Sequence, residues 1–150
     1  MSPVCIDASV ALKWYLREED SAAADQLLQR LTAERQRRIA PPHFRPEVLN
    51  VIYRRILTDR AVQRLSDDEA YRALHSFLAL DFEVMESDAL YDMAYQVCRA
   101  YGLRSGYDGL YVATARLAEC ELWTADQRLL RALDGRLSFV KALADFHPQT

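Results

Sequence analysis

The chain is 150 residues long, sets 19 Lys and Arg against 22 Asp and Glu for a formal charge of −3, and is 51% hydrophobic. That length supports a single domain, 1–150, whose core needs no disulfide or metal staple, and its apolar content excludes a disordered chain. Four Gly and five Pro exclude collagen-like and loop-dominated chains, and a pI near 5.6 excludes coating nucleic acid by bulk charge, so contact with RNA or DNA must be local.

The N-terminus has no basic residue before Lys13 and no sustained apolar stretch, so it does not read as a secretory signal. No apolar run approaches the roughly 18 residues of a membrane span, and no membrane role is expected. Cys5, Cys98 and Cys120 lack the close pairing of zinc or redox motifs and read as small hydrophobes in a reducing cytoplasm.

Val4-Cys5-Ile6 predicts a first strand leading into a helix over 9–17. Asp20 and Ser21 offer an N-cap for a helix over 22–33, and Arg38-Ile39-Ala40 makes a second strand stopped by Pro41-Pro42. A helix opens at Pro46 with apolar pairs at four-residue spacing through Leu57, and Ser66 to Glu69 is a capping box for the next. Phe82 to Met85 reads as a strand. Leu90, Met93, Ala94, Val97, Cys98 and Tyr101 repeat at helical spacing, with Gly102 placed for a left-handed end. The stretch 110–118 is apolar nearly all round, as a helix buried against a sheet would be. Cys120 to Thr124 is a strand, 126–133 a helix closed by Gly135, and 137–140 a last strand. Short apolar runs alternating with helices predict an α/β fold around a mainly parallel sheet.

Asp7, Glu47, Asp108 and Asp126 recur at one structural place, just past a strand or within the first turn of a helix. In a parallel sheet such points gather at the carboxyl edge, where ligands bind. Each acid taken singly also fits a helix cap: Ser105 with Asp108, and Thr124 with Gln127, have capping-box spacing, and Glu47 complements its helix dipole. Against that, Asp108 shares a helical stripe with Tyr111, Val112 and Ala115, and Asp7 follows an apolar strand, so both carboxylates should be partly enclosed. Enclosed carboxylates raise one another's pKa unless a cation neutralises them, and an all-oxygen set suits Mg²⁺, or Mn²⁺, rather than zinc. His43, His75 and His147 are isolated and read as surface or boundary residues. The chemistry that follows is metal-assisted phosphodiester hydrolysis.

Four segments in order, Ile6-Asp7-Ala8-Ser9, Pro46-Glu47-Val48-Leu49, 107–115 (YDGLYVATA) and 123–130 (WTADQRLL), resemble the PIN-domain family, and more closely its VapC-type ribonuclease toxins of toxin-antitoxin systems. The resemblance runs from about Val4 to Val140. It implies a three-layer α/β/α sandwich, Mg²⁺-dependent endoribonuclease activity on RNA, and inhibition by a small cognate antitoxin protein. Carried over by position, Asp7, Glu47, Asp108 and Asp126 are the catalytic and metal-binding acids, with Asp7 and Asp108 the firmest ligands and Ser9 and Thr124 supporting them. Gly109 stands where a helix former such as Ala is common, which predicts a softer first turn beside Asp108. The same acids occur in family members that process RNA, so the toxin role rests on the short single-domain architecture.

All but Lys13 and Lys141 of the basic residues are arginines, suited to bidentate phosphate contacts, and Arg54 with Arg55 is the pair taken as a candidate RNA contact. Trp14, Tyr15 and Leu16 cannot all face one way on a helix, which offers an exposed residue for a homodimer or antitoxin surface. Two other readings stand beside the nuclease. A phosphatase with Asp7 as nucleophile would want a second Asp where Ser9 stands, and a non-catalytic RNA-binding module would not need all four acids.

Overall fold

Val4–Ile6 has no polar side chain, and it forms the central strand, β1, fully buried. In the computed structural model, which describes residues 1–148, it is flanked by β2 (Arg38–Ala40) and β4 (Glu121–Thr124), with β3 (Glu83–Val84) beyond β2 and β5 (Val140–Ala142) beyond β4. The order is β3-β2-β1-β4-β5 and each pairing is parallel. The chain builds outward from β1 in one direction and then the other. The switch falls between β1 and β4, and in parallel α/β sheets the carboxyl ends of the strands beside such a switch are where ligands bind. Register puts Ile6 opposite Trp123, and the Asp7 N–H continues the ladder to the Trp123 carbonyl at 3.0 Å, which brings Asp7 level with Thr124.

Among the described residues seven α-helices cover the sheet: α1 (Ala8–Ala11), α2 (Ser21–Ala33), α3 (Phe44–Leu57), α4 (Asp67–Leu78), α5 (Asp88–Tyr101), α6 (Gly106–Leu117) and α7 (Gln127–Leu133). The architecture is the expected α/β/α sandwich. Helix α6, buried from Gly109 through Ala115, packs on β1, β2 and β4, and α5 lies along it as the outer partner. Ser66 and Glu69 close the capping box of α4, and Gly102 ends α5 at φ 64°. Pro46 sits in the first turn of α3, which opens two residues earlier than its sequence suggests.

Elsewhere tertiary contacts override the local pattern. The first helix is shorter than 9–17: after Ala11 the chain tightens into a 3-10 turn, Leu12–Trp14, so that the Trp14 indole reaches the Ala24 carbonyl at 2.9 Å. Trp14 and Leu16 are buried, and Tyr15 packs edge-on against Trp14 and Phe77. Trp14 and Leu16 are thus core, and Tyr15 is half-buried against it. Asp20 does not cap α2 with its side chain; it takes a left-handed turn at φ 65°, and the Ser21 hydroxyl instead accepts the Glu18 N–H. The last strand lies at Val140–Ala142, later than 137–140, because β4 sets its register. Only Glu83–Val84 of the third strand pairs.

Candidate active site

Asp7 leaves β1 in an extended conformation and caps α1. Its side chain is only 6% exposed. Ser9 and Thr124 both donate their hydroxyl hydrogens to Asp7 Oδ2, at 2.9 and 2.6 Å. Each hydroxyl oxygen then accepts a backbone N–H from the loop after β4, Ser9 from Ala125 and Thr124 from Asp126, both at 3.0 Å. The two single protons are spent on Asp7, so the 3.4 Å approach of Ser9 Oγ to Thr124 Oγ1 is not a further bond. Asp7 Oδ1 keeps only a long 3.5 Å contact with the Ser9 N–H. The network fastens the end of β1 to the end of β4 and leaves one carboxylate oxygen for a ligand.

Asp126 caps α7, its Oδ1 accepting the Arg128 and Leu129 N–H groups at 3.0 and 3.3 Å. Thr124 is therefore not the cap of that helix, as its spacing with Gln127 suggested; its hydroxyl is committed to Asp7. Ser105 caps α6 by accepting the Tyr107 N–H, and the expected box with Asp108 does not form. Among the described residues the Asp108 carboxylate has no hydrogen-bond donor. Glu47, in the first turn of α3, accepts the Tyr111 hydroxyl at 2.7 Å, and that hydroxyl oxygen accepts the Ala8 N–H at 3.3 Å. Tyr111 is 1% exposed, so it fixes Glu47 relative to β1 from inside the core.

The four acids share one field. Burial pushes Asp7 up to about 7, and the charges of Glu47 and Asp126 add to the shift against the lowering effect of the Thr124 and Ser9 hydroxyls. Glu47 is raised by partial burial and by Asp108 and Asp126. Asp108 is raised by partial burial and by Asp126, with the Arg128 guanidinium opposing. Hard oxygen donors that repel one another, with only the Arg128 guanidinium opposing at Asp108, suit a hard divalent cation. Among the described residues no three Asp, Glu, His or Cys side chains approach closely enough to enclose a metal ion by themselves. An open arrangement of this kind fits Mg²⁺, which binds through one or two carboxylates and keeps several waters.

Thr124→Val tests the network. It keeps the side chain's shape, removes one donor that favours the charged Asp7, and strands the Asp126 N–H. If the site hydrolyses phosphodiesters, as the sequence leads one to expect, kcat/KM should fall about tenfold, with the acid limb of its pH profile moved to higher pH. An unmoved acid limb would separate Thr124 from Asp7.

Arg54 and Arg55 lie in the last turn of α3, about 10 Å along the helix from Glu47. The Arg55 guanidinium is paired with Glu18 at 2.9 Å. Arg128 is the basic side chain whose charge reaches Asp108. Its signal in the sequence was its place two residues after Asp126. Tyr111 was legible only as part of a packed stripe. His43 is a half-buried boundary residue: its side chain is 12% exposed, it approaches Glu47 Oε1 at 3.8 Å, and burial lowers its pKa to about 4, leaving it neutral at pH 7.

The PIN domain family model matches residues 4–135. Among solved structures, the chain is similar to a toxin-antitoxin complex from Klebsiella pneumoniae, at 15% identity and a TM-score of 0.65, covering 93% of this chain and 97% of that one. It is also similar to PAE2754 from Pyrobaculum aerophilum, at 20% identity and a TM-score of 0.64, covering 95% of this chain and 90% of that one. No curated protein matches the chain. At these identities the structural likeness shows a shared fold.

Proposed function

The chain belongs to the PIN domain family, and from that premise we propose that it is a Mg²⁺-dependent endoribonuclease, the toxin of a type II toxin-antitoxin pair. The observation that supports the reading is that Asp7, Glu47 and Asp108 each feel the charge of Asp126, Asp7 also that of Glu47 and Glu47 that of Asp108, with Asp7 pushed up to about 7 by burial and these neighbours. Asp7 and Asp108 would hold the cation most directly, and Glu47 and Asp126 would complete the donor set. Mn²⁺ would serve the same donors. When bound, the metal polarises the phosphoryl oxygen and lowers the pKa of a coordinated water. The chain's own work is placement: the Ser9 and Thr124 hydroxyls favour the charged form of Asp7 and fix one of its oxygens, and Tyr111 holds Glu47.

A small cognate antitoxin as partner is supported by the Klebsiella pneumoniae neighbour, itself a toxin-antitoxin complex. We further propose that residues 1–150 are one nuclease domain, that it works as a homodimer and that it acts on RNA in the cytoplasm. The Ser9 hydroxyl donates to Asp7 in the place where an aspartate-nucleophile phosphatase would need a second acid, which favours the nuclease.

The test is to purify the chain free of partners and incubate it with RNA in Mg²⁺ or EDTA. Cleavage in Mg²⁺ alone supports the reading, and cleavage that persists in EDTA overturns it. Recovery of a small co-purifying protein that silences the activity separates a toxin from an RNA-processing nuclease. For the RNA backbone, Arg128→Ala is expected to weaken binding and reduce the slope of log K against log salt by about one. Charge reversal of Arg54 and Arg55 tests the other pair, which drops out if activity and salt slope stay unchanged.

A further inference from the structure

Tyr107 is 62% exposed, yet it is not loose. Its ring stacks on His43 at 4.8 Å between centroids and 33° between planes, and His43 in turn meets the ring of Tyr111 edge-on at 4.7 Å. Among the described residues both ring nitrogens of His43 are buried without hydrogen-bond partners, and the ring meets Tyr107 with its face. The stack is attached to the acids at both ends. His43 lies four residues before Glu47 at the start of α3, and Tyr107 immediately precedes Asp108 in the first turn of α6. Tyr107 also walls a cleft of about 310 Å³ with Tyr91, Tyr95 and Leu110, a largely carbon-lined space.

We infer that Tyr107, backed by His43, is the platform on which an unpaired base next to the scissile phosphate stacks. This rests on the endoribonuclease reading. A phosphodiester held at the acids carries its flanking nucleotide along, and His43, on which Tyr107 stacks, approaches Glu47 Oε1 at 3.8 Å, so the platform stands beside the acids within that nucleotide's reach. A base has two flat apolar faces, and single-stranded RNA is recognised largely by stacking on aromatic side chains. A plate supported from behind loses little freedom when the base lands on it. An arginine patch would grip the backbone only, whereas this stack selects for the presence of a base at one position relative to the cut.

The experiment uses a single-stranded RNA that the enzyme cuts at one site, together with versions carrying an abasic residue at each successive position, cleaved in Mg²⁺ by the wild type, Tyr107→Phe and Tyr107→Ala. For wild type and Tyr107→Phe, one abasic position flanking the cut should lower kcat/KM roughly tenfold. Tyr107→Ala should cut the intact RNA roughly tenfold less efficiently, chiefly through KM, and be indifferent to the same abasic residue. The proposal is overturned if wild type tolerates abasic residues at every position, or if Tyr107→Ala keeps the full abasic penalty. Light scattering on the same proteins covers the other occupant: a change in subunit number with the abasic penalty intact would give the cleft to a second copy of the chain. RNA left uncut by the wild type would overturn the nuclease reading as well, so the two failures are told apart by the wild type alone.

Discussion

Asp7→Asn is expected to lower Mg²⁺-dependent RNA cleavage by about 10³-fold and, in metal-free protein at neutral pH, to raise stability. Both effects come from one carboxylate. Folding moves Asp7 from 3.8 up to about 7, so between those values the folded state binds more protons than the unfolded one and stability falls as pH rises. The favourable contribution is fully present below about 3.8 and gone above about 7. Metal-free wild type should therefore lose a few kcal/mol relative to the variant across that window, on the order of 10 °C in Tm for a chain of this size. Asn keeps an oxygen to accept the Ser9 and Thr124 hydroxyls while removing the charge. Adding Mg²⁺ at pH 8 should restore the wild type and do little for the variant. Thermal melts from pH 4 to 8 decide it: parallel curves for the two proteins would remove Asp7 as the group that makes the empty site unstable.

Gly109→Ala is the second large effect, and it reverses what the sequence suggests. Ala is the better helix former, and Gly109 looked like a weak point in the first turn of α6. In the fold, a Cβ at Gly109 would meet Cys98 Sγ at 2.4 Å and the Ala94 carbonyl oxygen at 2.8 Å. Gly109 is thus what lets α6 approach α5. The substitution should destabilise by about 1–3 kcal/mol, a drop of several °C in Tm, and should weaken catalysis as well because the helix that must shift carries Asp108. Cys98→Ala clears the sulfur but not the backbone oxygen, so the double variant should recover only part of the loss. Full recovery would mean that the sulfur alone sets the helix spacing, and unchanged stability in the single variant would show that α5 and α6 separate freely.

Glycine at 109 also shows why the sequence can mislead. Propensity and spacing describe a residue's own helix, while the clash belongs to the neighbouring one. The same holds at the acids. Thr124 with Gln127 has the spacing of a cap, yet the hydroxyl turns to Asp7, 117 residues away, because a buried carboxylate is the stronger acceptor and Asp126 is free to cap α7 itself. His43, isolated along the chain, is enclosed because α3 and α6 bring Tyr107 and Tyr111 against it.

By itself the sequence determined whatever depends on neighbours within a turn or two: the capping box of α4, the left-handed end of α5, the buried period of α6, the short β1, and the recurrence of four acids just past strands or at helix starts. Those are local preferences, and they act before any long-range contact exists. Only the tertiary structure decided which oxygen of Asp7 is occupied, that Tyr111 holds Glu47 from the core, that Trp14, Tyr15 and Leu16 turn inward, and that β5 begins at Val140. These depend on which faces of distant segments meet, and periodicity along one segment carries no information about the partner that will cover it.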